Sequence, residues 1–173
     1  MTDSPSKRLF ILDGMALAYR AHFAFFSNPI RNSKGVNTSA VYGFANTLLG
    51  ILEHERPTHI AACFDTSVPT ARHKLYPAYK ANRESMPEEL SLQMPLIFRL
   101  LEAMNIPILR YEGYEADDTI GTLARIADGT EGFQTYMVSQ DKDLGQLISS
   151  TCFLWKPGKR GNDLSLIHIF RAH

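Results

Sequence analysis

Short apolar runs alternate with helical patterns along this chain. Five of the runs predict β-strands, over residues 8–12, 59–64, 106–109, 135–138 and 151–155. Residues 14–25 predict a helix after the first run, and residues 38–55 predict another, with apolar side chains about every 3.6 residues. The repeated strand–helix–strand order predicts an α/β fold with a mostly parallel central sheet of about five strands and helices on both faces.

Two more helices are predicted between the later strands. Ser85 and Glu88 fit a capping box at the start of a helix that runs to about Met104, with a kink at Pro95. Residues 115–128 predict the second helix, because their apolar side chains share one helical face.

The composition is that of one globular domain. The chain has 173 residues, of which 45% are apolar and 21% charged, enough for one core and too few for two domains of typical size. No apolar run is long enough for a membrane span, and the first residues do not resemble an export signal, so the cytoplasm is the expected location. Cys63 and Cys152 lie in apolar runs, which indicates buried reduced thiols.

Carboxylates follow each of the first four predicted strands. In an open parallel sheet, ligands bind outside the carboxyl ends of the strands, so we expect these side chains to meet at one edge. The seven acids are Asp13, Asp65, Glu115, Asp117, Asp118, Asp141 and Asp143.

Each acid taken singly has a plain structural explanation as a helix cap or as a first-turn partner of the helix dipole. Taken together, seven like charges in one crevice would repel one another unless a counter-ion were present. An all-oxygen ligand set favours a hard divalent cation, Mg²⁺ or Mn²⁺. Two such ions, roughly 3.5–4 Å apart, are a recurring arrangement for phosphodiester hydrolysis. No convincing Ser-His-Asp or Cys-His set offers a nucleophilic alternative.

A basic and aromatic segment follows Asp65. The net charge of zero argues against a nucleic-acid partner, but residues 66–83 contain no acid. Their cations suit phosphates and their rings suit unpaired bases, although a solvated surface segment is an equal alternative on composition alone. Its place beside the acids favours DNA binding, with Lys80 and Arg83 offsetting charge on the reacting phosphate.

Five segments in register resemble the 5′–3′ exonuclease domains of bacterial DNA polymerases I, in the flap-nuclease group. They are LDGMALAYRAHFAF, THIAACFD, YPAYKANR, GYEADDTIGTLA and VSQDKDLGQL. The resemblance implies a PIN-like, resolvase-like nuclease core, two divalent ions, and cleavage of DNA that has a 5′ end, as a flap, a nick or an RNA primer. It also implies a polymerase domain in the same parent chain, with roles in replication and repair, and we expect a monomer.

The resemblance also assigns roles by position. The residues that match ligands of the first metal centre are Asp13, Asp65, Glu115 and Asp117. Those that match acids of the second metal or its water shell are Asp118, Asp141 and Asp143. Those that match basic or stacking residues of the arch are Lys80, Arg83 and Tyr79. Expected phosphate contacts are matched by Arg20 and Arg72.

The resemblance stops before the end of the chain. The family continues into a DNA-binding region with a GD-x-SDN-x-PG motif, and this sequence contains no such motif. We therefore predict a C-terminally incomplete catalytic core over residues 8–163 and an atypical tail over 164–173. Two alternatives stay open: a catalytically incomplete fragment that binds DNA and metal, and a receiver-like Mg²⁺-binding signalling domain with Lys156 as its lysine.

Overall fold

A six-stranded sheet forms the centre of the molecule in the computed structural model, which describes residues 7–82, 84–158 and 164–167. The strands are β1 (Lys7–Asp13), β2 (His59–Cys63), β3 (Ile108–Leu109), β4 (Phe133–Val138), β5 (Cys152–Pro157) and β6 (Leu164–Ile167). Their order is β3-β2-β1-β4-β5-β6, with the first five parallel and β6 antiparallel to β5. The predicted mostly parallel sheet is confirmed, and a further strand lies within the segment predicted as a tail.

Helices connect the parallel strands. They are α1 (Gly14–Ala24), α2 (Ser39–Gly50), α3 (Ala71–Leu75), α4 (Glu88–Ser91), α5 (Met94–Ala103) and α6 (Ala116–Asp128). A π-helical turn, Ile51–Glu55, extends α2, and a 3₁₀ helix, Asp143–Leu147, follows β4. No helix among the described residues is long and apolar enough to cross a membrane.

Two hydrophobic clusters show that helices cover both faces of the sheet. Successive strand side chains point to opposite faces, so Phe10 and Leu12 pack with α1, α2 and α5. Ile11 points the other way and packs with α6 and with Met137 of β4. The predicted three-layer α/β arrangement is confirmed, and all strands except the last enter the sheet with their carboxyl ends at one edge.

Prolines explain three departures from the predicted elements. The single helix expected between Ser85 and Met104 is two helices, and α5 begins at Met94 with Pro95 in its first turn, where a missing N–H costs nothing. The capping box expected at Ser85 is wrong, because Pro87 is the N-cap of α4. The third strand begins at residue 108 rather than 106, and Pro107 before it has no N–H to donate to a ladder.

The N-terminus of α2 is capped by a side chain from the segment between α4 and α5. Thr38 occupies the N-cap position but makes no side-chain capping bond. Instead, the buried Gln93 places Oε1 2.9 Å from the backbone N of Ala40 and 3.3 Å from that of Val41. This side chain therefore joins α2 to the segment between α4 and α5 by satisfying free helix N–H groups.

Candidate functional site

Five aspartates line one cleft at the carboxyl ends of the parallel strands. This acid cleft has a volume of about 380 Å³. The five aspartates that line it are Asp13, Asp65, Asp117, Asp141 and Asp143. The first ends β1, the second follows β2, the third lies in the first turn of α6, and the last two follow β4. The topology thus brings together five of the seven predicted acids, which are up to 130 positions apart in sequence (143 − 13).

Asp13 is held by a hydrogen bond to each carboxylate oxygen. As the N-cap of α1 it accepts from the backbone N of Ala16 at 3.0 Å, and it accepts from Ser139 Oγ at 2.7 Å. Burial raises the pKa of Asp13 in spite of these hydrogen bonds, and the charges of Asp65 and Asp141 add to the rise. Its orientation is therefore fixed while its negative charge is unfavourable.

Asp65 and Asp117 connect the acid cleft to α6. Asp65 Oδ1 accepts from the backbone N of Ala116 at 2.7 Å, which ties the first turn of this helix to the end of β2. Asp117 is one residue further along. Burial, followed by the charges of Asp13, Asp141 and Asp65, raises the pKa of Asp117 to about 6.

Glu115 and Asp118 make different contacts from the other five acids. They cap α6 reciprocally, and the backbone N of Glu115 donates to Asp118 Oδ2 at 3.0 Å. Together with Asp117 and Asp143 they line a flanking cleft of about 670 Å³ that also contains Arg72 and Tyr79. The predicted acids therefore divide between two adjoining clefts, with Asp117 and Asp143 at the shared edge.

Basic side chains neutralise the two capping acids. Lys80 Nζ lies 2.9 Å from Glu115 Oε1, and Tyr79 OH donates to Oε2 at 3.1 Å. Arg72 makes two hydrogen bonds of 2.7 Å to Asp118 and lies 3.5 Å from Glu115. The basic segment therefore does rise beside the acids, but its cations contact carboxylates.

These contacts lower the pKa values of both carboxyls. Burial alone would raise the pKa of Glu115, but the hydrogen bond and charge of Lys80, with Tyr79 and Arg72, outweigh it. The hydrogen bonds from Arg72 are the main reason that the pKa of Asp118 lies below its ordinary value. Glu115 and Asp118 are thus held as anions by protein cations, whereas Asp13 and Asp117 are not.

The remaining predicted basic residues lie apart from this group or outside the described residues. Arg20 donates to the carbonyl oxygen of Gly158 and lines a separate open cleft that shares Ala16 and Tyr19 with the acid cleft. Arg83 is not among the described residues, so its place in the site stays a prediction. The structure also assigns a contact to Ser139, which the sequence analysis missed although it stands two residues before Asp141 in VSQDKD.

The donor chemistry of the acid cleft fits a hard divalent cation, because its five aspartates offer only carboxylate oxygens. Among the described residues, no three His, Cys, Asp or Glu side chains stand as ready ligands of one ion. Burial is the main reason that the pKa of Asp117 is raised, and the charges of Asp13, Asp141 and Asp65 add to the rise. The residue types of the acid cleft therefore fit such a cation.

Similar proteins agree with this architecture. Residues 8–169 match the family described as the 5′-3′ exonuclease, N-terminal resolvase-like domain. The chain is 50% identical over 144 residues to DNA polymerase I of Bacillus subtilis (strain 168), covering 83% of this chain and 16% of that protein. It is 41% identical over 163 residues to DNA polymerase I of Mycobacterium tuberculosis (strain ATCC 25618 / H37Rv), covering 94% and 18%. The chain therefore spans less than a fifth of the length of these relatives.

Solved structures share the fold at lower identity. T5 5′-exonuclease with bound zinc ions aligns with a TM-score of 0.62 at 18% identity, covering 86% of this chain and 55% of that one. A bacteriophage T5 flap endonuclease, in a pseudo-enzyme-product complex with DNA and metal ions, aligns with a TM-score of 0.61 at 18% identity, covering 86% and 54%. From the family match over most of its length, this chain belongs to the 5′-3′ exonuclease N-terminal, resolvase-like domain family.

Proposed function

We propose that this chain hydrolyses phosphodiester bonds of DNA that has a 5′ end, as a 5′–3′ exonuclease and 5′-flap endonuclease. The observation that carries the proposal is the acid cleft, where aspartates from three strand ends and from α6 interact electrostatically. The parent protein, on this proposal, is a cytoplasmic DNA polymerase I that removes primers in replication and repair, and it acts as a monomer. Its support is the identity to relatives of that name.

We propose that two divalent cations, Mg²⁺ or Mn²⁺, bind where the acid cleft adjoins the flanking cleft. Asp13, Asp65 and Asp117 would serve the first with Glu115, and the second or its water shell would use the acids Asp118, Asp141 and Asp143. Such ions supply an activated water and offset the charge of the phosphate. The T5 structures with bound metal ions support the expectation of a metal but leave its identity here to experiment.

In this proposal the basic segment offsets phosphate charge and stacks on an unpaired base. Lys80 lines the acid cleft and contacts Glu115, whereas Arg72 lines the flanking cleft and contacts Asp118. A DNA phosphate that enters the junction of the two clefts competes with these carboxylates for the same cations, and Lys80 with Arg83 then offsets charge on its oxygens in the transition state. Tyr79 lines both clefts and is proposed to stack on an unpaired base, and Arg20 is proposed to contact a phosphate further along the strand.

A labelled 5′-flap substrate tests the proposal directly. We expect cleavage with Mg²⁺, none with a chelator, and a loss on the order of 1,000-fold in Asp117→Asn, because a ligand and its charge are removed. Glu131→Gln is the matched control, since it removes an exposed carboxylate before β4 at the other edge of the sheet. Cleavage by Asp117→Asn at the wild-type rate would refute the site.

A binding-only fragment is the second candidate, and the separate placement of Glu115 and Asp118 on protein cations favours it. The wild type and Asp117→Asn also distinguish binding without cleavage from nuclease activity. Mn²⁺ and single-stranded DNA would bind without any cleavage, and Asp117→Asn would weaken only the metal binding. Membership of the nuclease family leaves the receiver-like alternative without support.

A further inference from the structure

A buried serine connects two aspartates that line the acid cleft. Ser139 directly follows β4 and is fully buried. Its Oγ donates to Asp13 Oδ2 at 2.7 Å and accepts from the backbone N of Asp141 at 3.0 Å. Its own backbone N donates to the carbonyl oxygen of Trp155 in β5 at 3.2 Å. One residue therefore contacts the end of β1, the loop after β4 and the neighbouring strand.

The hydrogen bonds of Ser139 continue along the loop. The backbone N of Asp143 donates to Asp141 Oδ1 at 2.9 Å. Three bonds in series thus run from Asp143 to Asp141, from Asp141 to Ser139, and from Ser139 to Asp13. Every aspartate that β1 and β4 contribute to the acid cleft belongs to this series.

We propose that Ser139 is a positioning residue that sets the separation of Asp13 and Asp141 across the acid cleft. The inference rests on the proposed function, because it concerns how that cleft is prepared for an ion. A hydroxyl is the group required, since it donates to the carboxylate and accepts from the amide through one atom. Alanine supplies neither bond, whereas threonine supplies both.

The position of Ser139 makes each of its bonds effective. A hydrogen bond to a charged carboxylate is shorter and stronger than one between neutral groups, and the 2.7 Å contact lies between a fully buried hydroxyl and a nearly buried carboxylate. Loss of the hydroxyl frees one oxygen of Asp13 and leaves the N–H of Asp141 without its acceptor. Partners that orient metal ligands in this way typically change metal affinity by roughly 10- to 100-fold.

The test compares Ser139→Ala, Ser139→Thr and the control Thr135→Val in the full chain. Thr135 lies on β4, the strand that Ser139 follows, and it is buried with a hydroxyl that has no hydrogen-bond partner among the described residues. Its removal therefore tests the loss of any buried hydroxyl. We measure Mn²⁺ affinity by electron paramagnetic resonance, thermal unfolding, and kcat and KM on the flap substrate. We expect Ser139→Ala to weaken Mn²⁺ binding by roughly 10- to 100-fold, Ser139→Thr to restore it, and Thr135→Val to match the wild type.

The outcomes separate this inference from the proposed function. Wild-type Mn²⁺ affinity in Ser139→Ala, or an equal loss in Thr135→Val, overturns the positioning role while leaving the nuclease proposal intact. If the wild type itself binds no Mn²⁺ and cuts no flap, both proposals fail. Should Ser139→Ala be unfolded at the assay temperature, Ser139→Cys replaces it, and an intermediate Mn²⁺ affinity is expected because a thiol is a weaker donor.

Discussion

The guanidinium group of Arg72 makes a bidentate contact with the carboxylate of Asp118, and each Nη atom lies 2.7 Å from a different carboxylate oxygen. The two residues are 46 positions apart in sequence, so the pair joins α3 to the start of α6. Although it makes this contact, the Arg72 side chain is 46% exposed to solvent. Its cation is therefore both a structural partner of an acid and accessible to a phosphate from solution.

Replacement of Arg72 by alanine should weaken DNA binding and make it less dependent on salt. Each phosphate contact that is lost reduces the slope of log K against log salt concentration by about 1, and we expect that reduction in fluorescence-anisotropy titrations at several salt concentrations. Lys34→Ala is the control, because Lys34 is exposed and lines neither the acid cleft nor the flanking cleft. An unchanged slope in Arg72→Ala would show that Arg72 stays on Asp118 when DNA binds.

Replacement of Lys80 by alanine should act mainly on turnover. Lys80 Nζ contacts Glu115 and also lowers the pKa of Asp117, so its charge reaches both clefts. We expect the single-turnover cleavage rate to fall on the order of 100-fold, with DNA affinity reduced much less. Lys80→Arg keeps the charge and should retain most of the rate. A wild-type rate in Lys80→Ala would remove the electrostatic role assigned to this side chain.

The convergence of the acids was predictable, and their partners were not. Parallel strands present their carboxyl ends at one edge, so Asp13 and Asp65 had to approach each other once the strand order was known. The pairing of Lys80 with Glu115 depends on how the segment after β2 folds back over 35 positions. No pattern in the sequence reports that distance. Ser139 was missed for the same reason, because its two contacts exist only after β1 and β4 pair.

The raised pKa of Asp117 predicts how stability depends on pH. Its folded-state pKa of about 6 exceeds the ordinary aspartate value of 3.8, so the folded protein binds a proton between about pH 4 and pH 6 that the unfolded chain does not. Stability contributed by this group therefore falls as pH rises through that window. Asp117→Asn should be more stable than the wild type at pH 8, and the difference should vanish below about pH 4.

Solvent limits the size of that effect. The acid cleft partly desolvates Asp117, but the residue as a whole is exposed. Solvent therefore screens the charges of Asp13, Asp65 and Asp141, and we expect a gain of only about 1 kcal/mol at pH 8. Urea unfolding at pH 4 and pH 8 measures it, with Glu131→Gln as the control that should show no such crossover. A wild type that is more stable than Asp117→Asn at pH 8 would contradict the predicted repulsion.

Two glycines should respond to alanine in opposite directions. A Cβ on Gly14 would lie 2.2 Å from the ring of Phe64, which is almost fully buried, so Gly14→Ala should cost about 1–3 kcal/mol through overpacking. A Cβ on Gly121 in α6 would meet Leu147 Cδ1 at an ordinary 3.4 Å, so Gly121→Ala should stabilise by about 0.5–1 kcal/mol. Thermal and urea unfolding measure both, and a neutral Gly14→Ala would mean that Phe64 can move aside.

Replacement of Gln93 tests whether its side chain caps the N-terminus of α2. Its buried amide oxygen accepts from the backbone N of Ala40 and of Val41, so Gln93→Leu leaves two helix N–H groups unsatisfied in the core. We expect the free energy of unfolding to fall by about 1–3 kcal/mol. The Mn²⁺ affinity should not change, because Gln93 lines neither cleft.

Thr38→Ala is the matched control for that cap. Thr38 holds the N-cap position of α2 without a side-chain capping bond, and its hydroxyl makes only a long contact, 3.3 Å, to the carbonyl oxygen of Ile30. From the sequence alone, Thr38 would be expected to contribute more to stability than Gln93, because threonine is a favoured N-cap residue. The structure predicts the reverse order, with Thr38→Ala costing at most about 0.5 kcal/mol. If urea unfolding finds Thr38→Ala the more damaging of the two, the cap on α2 is local and Gln93 has been given the wrong role.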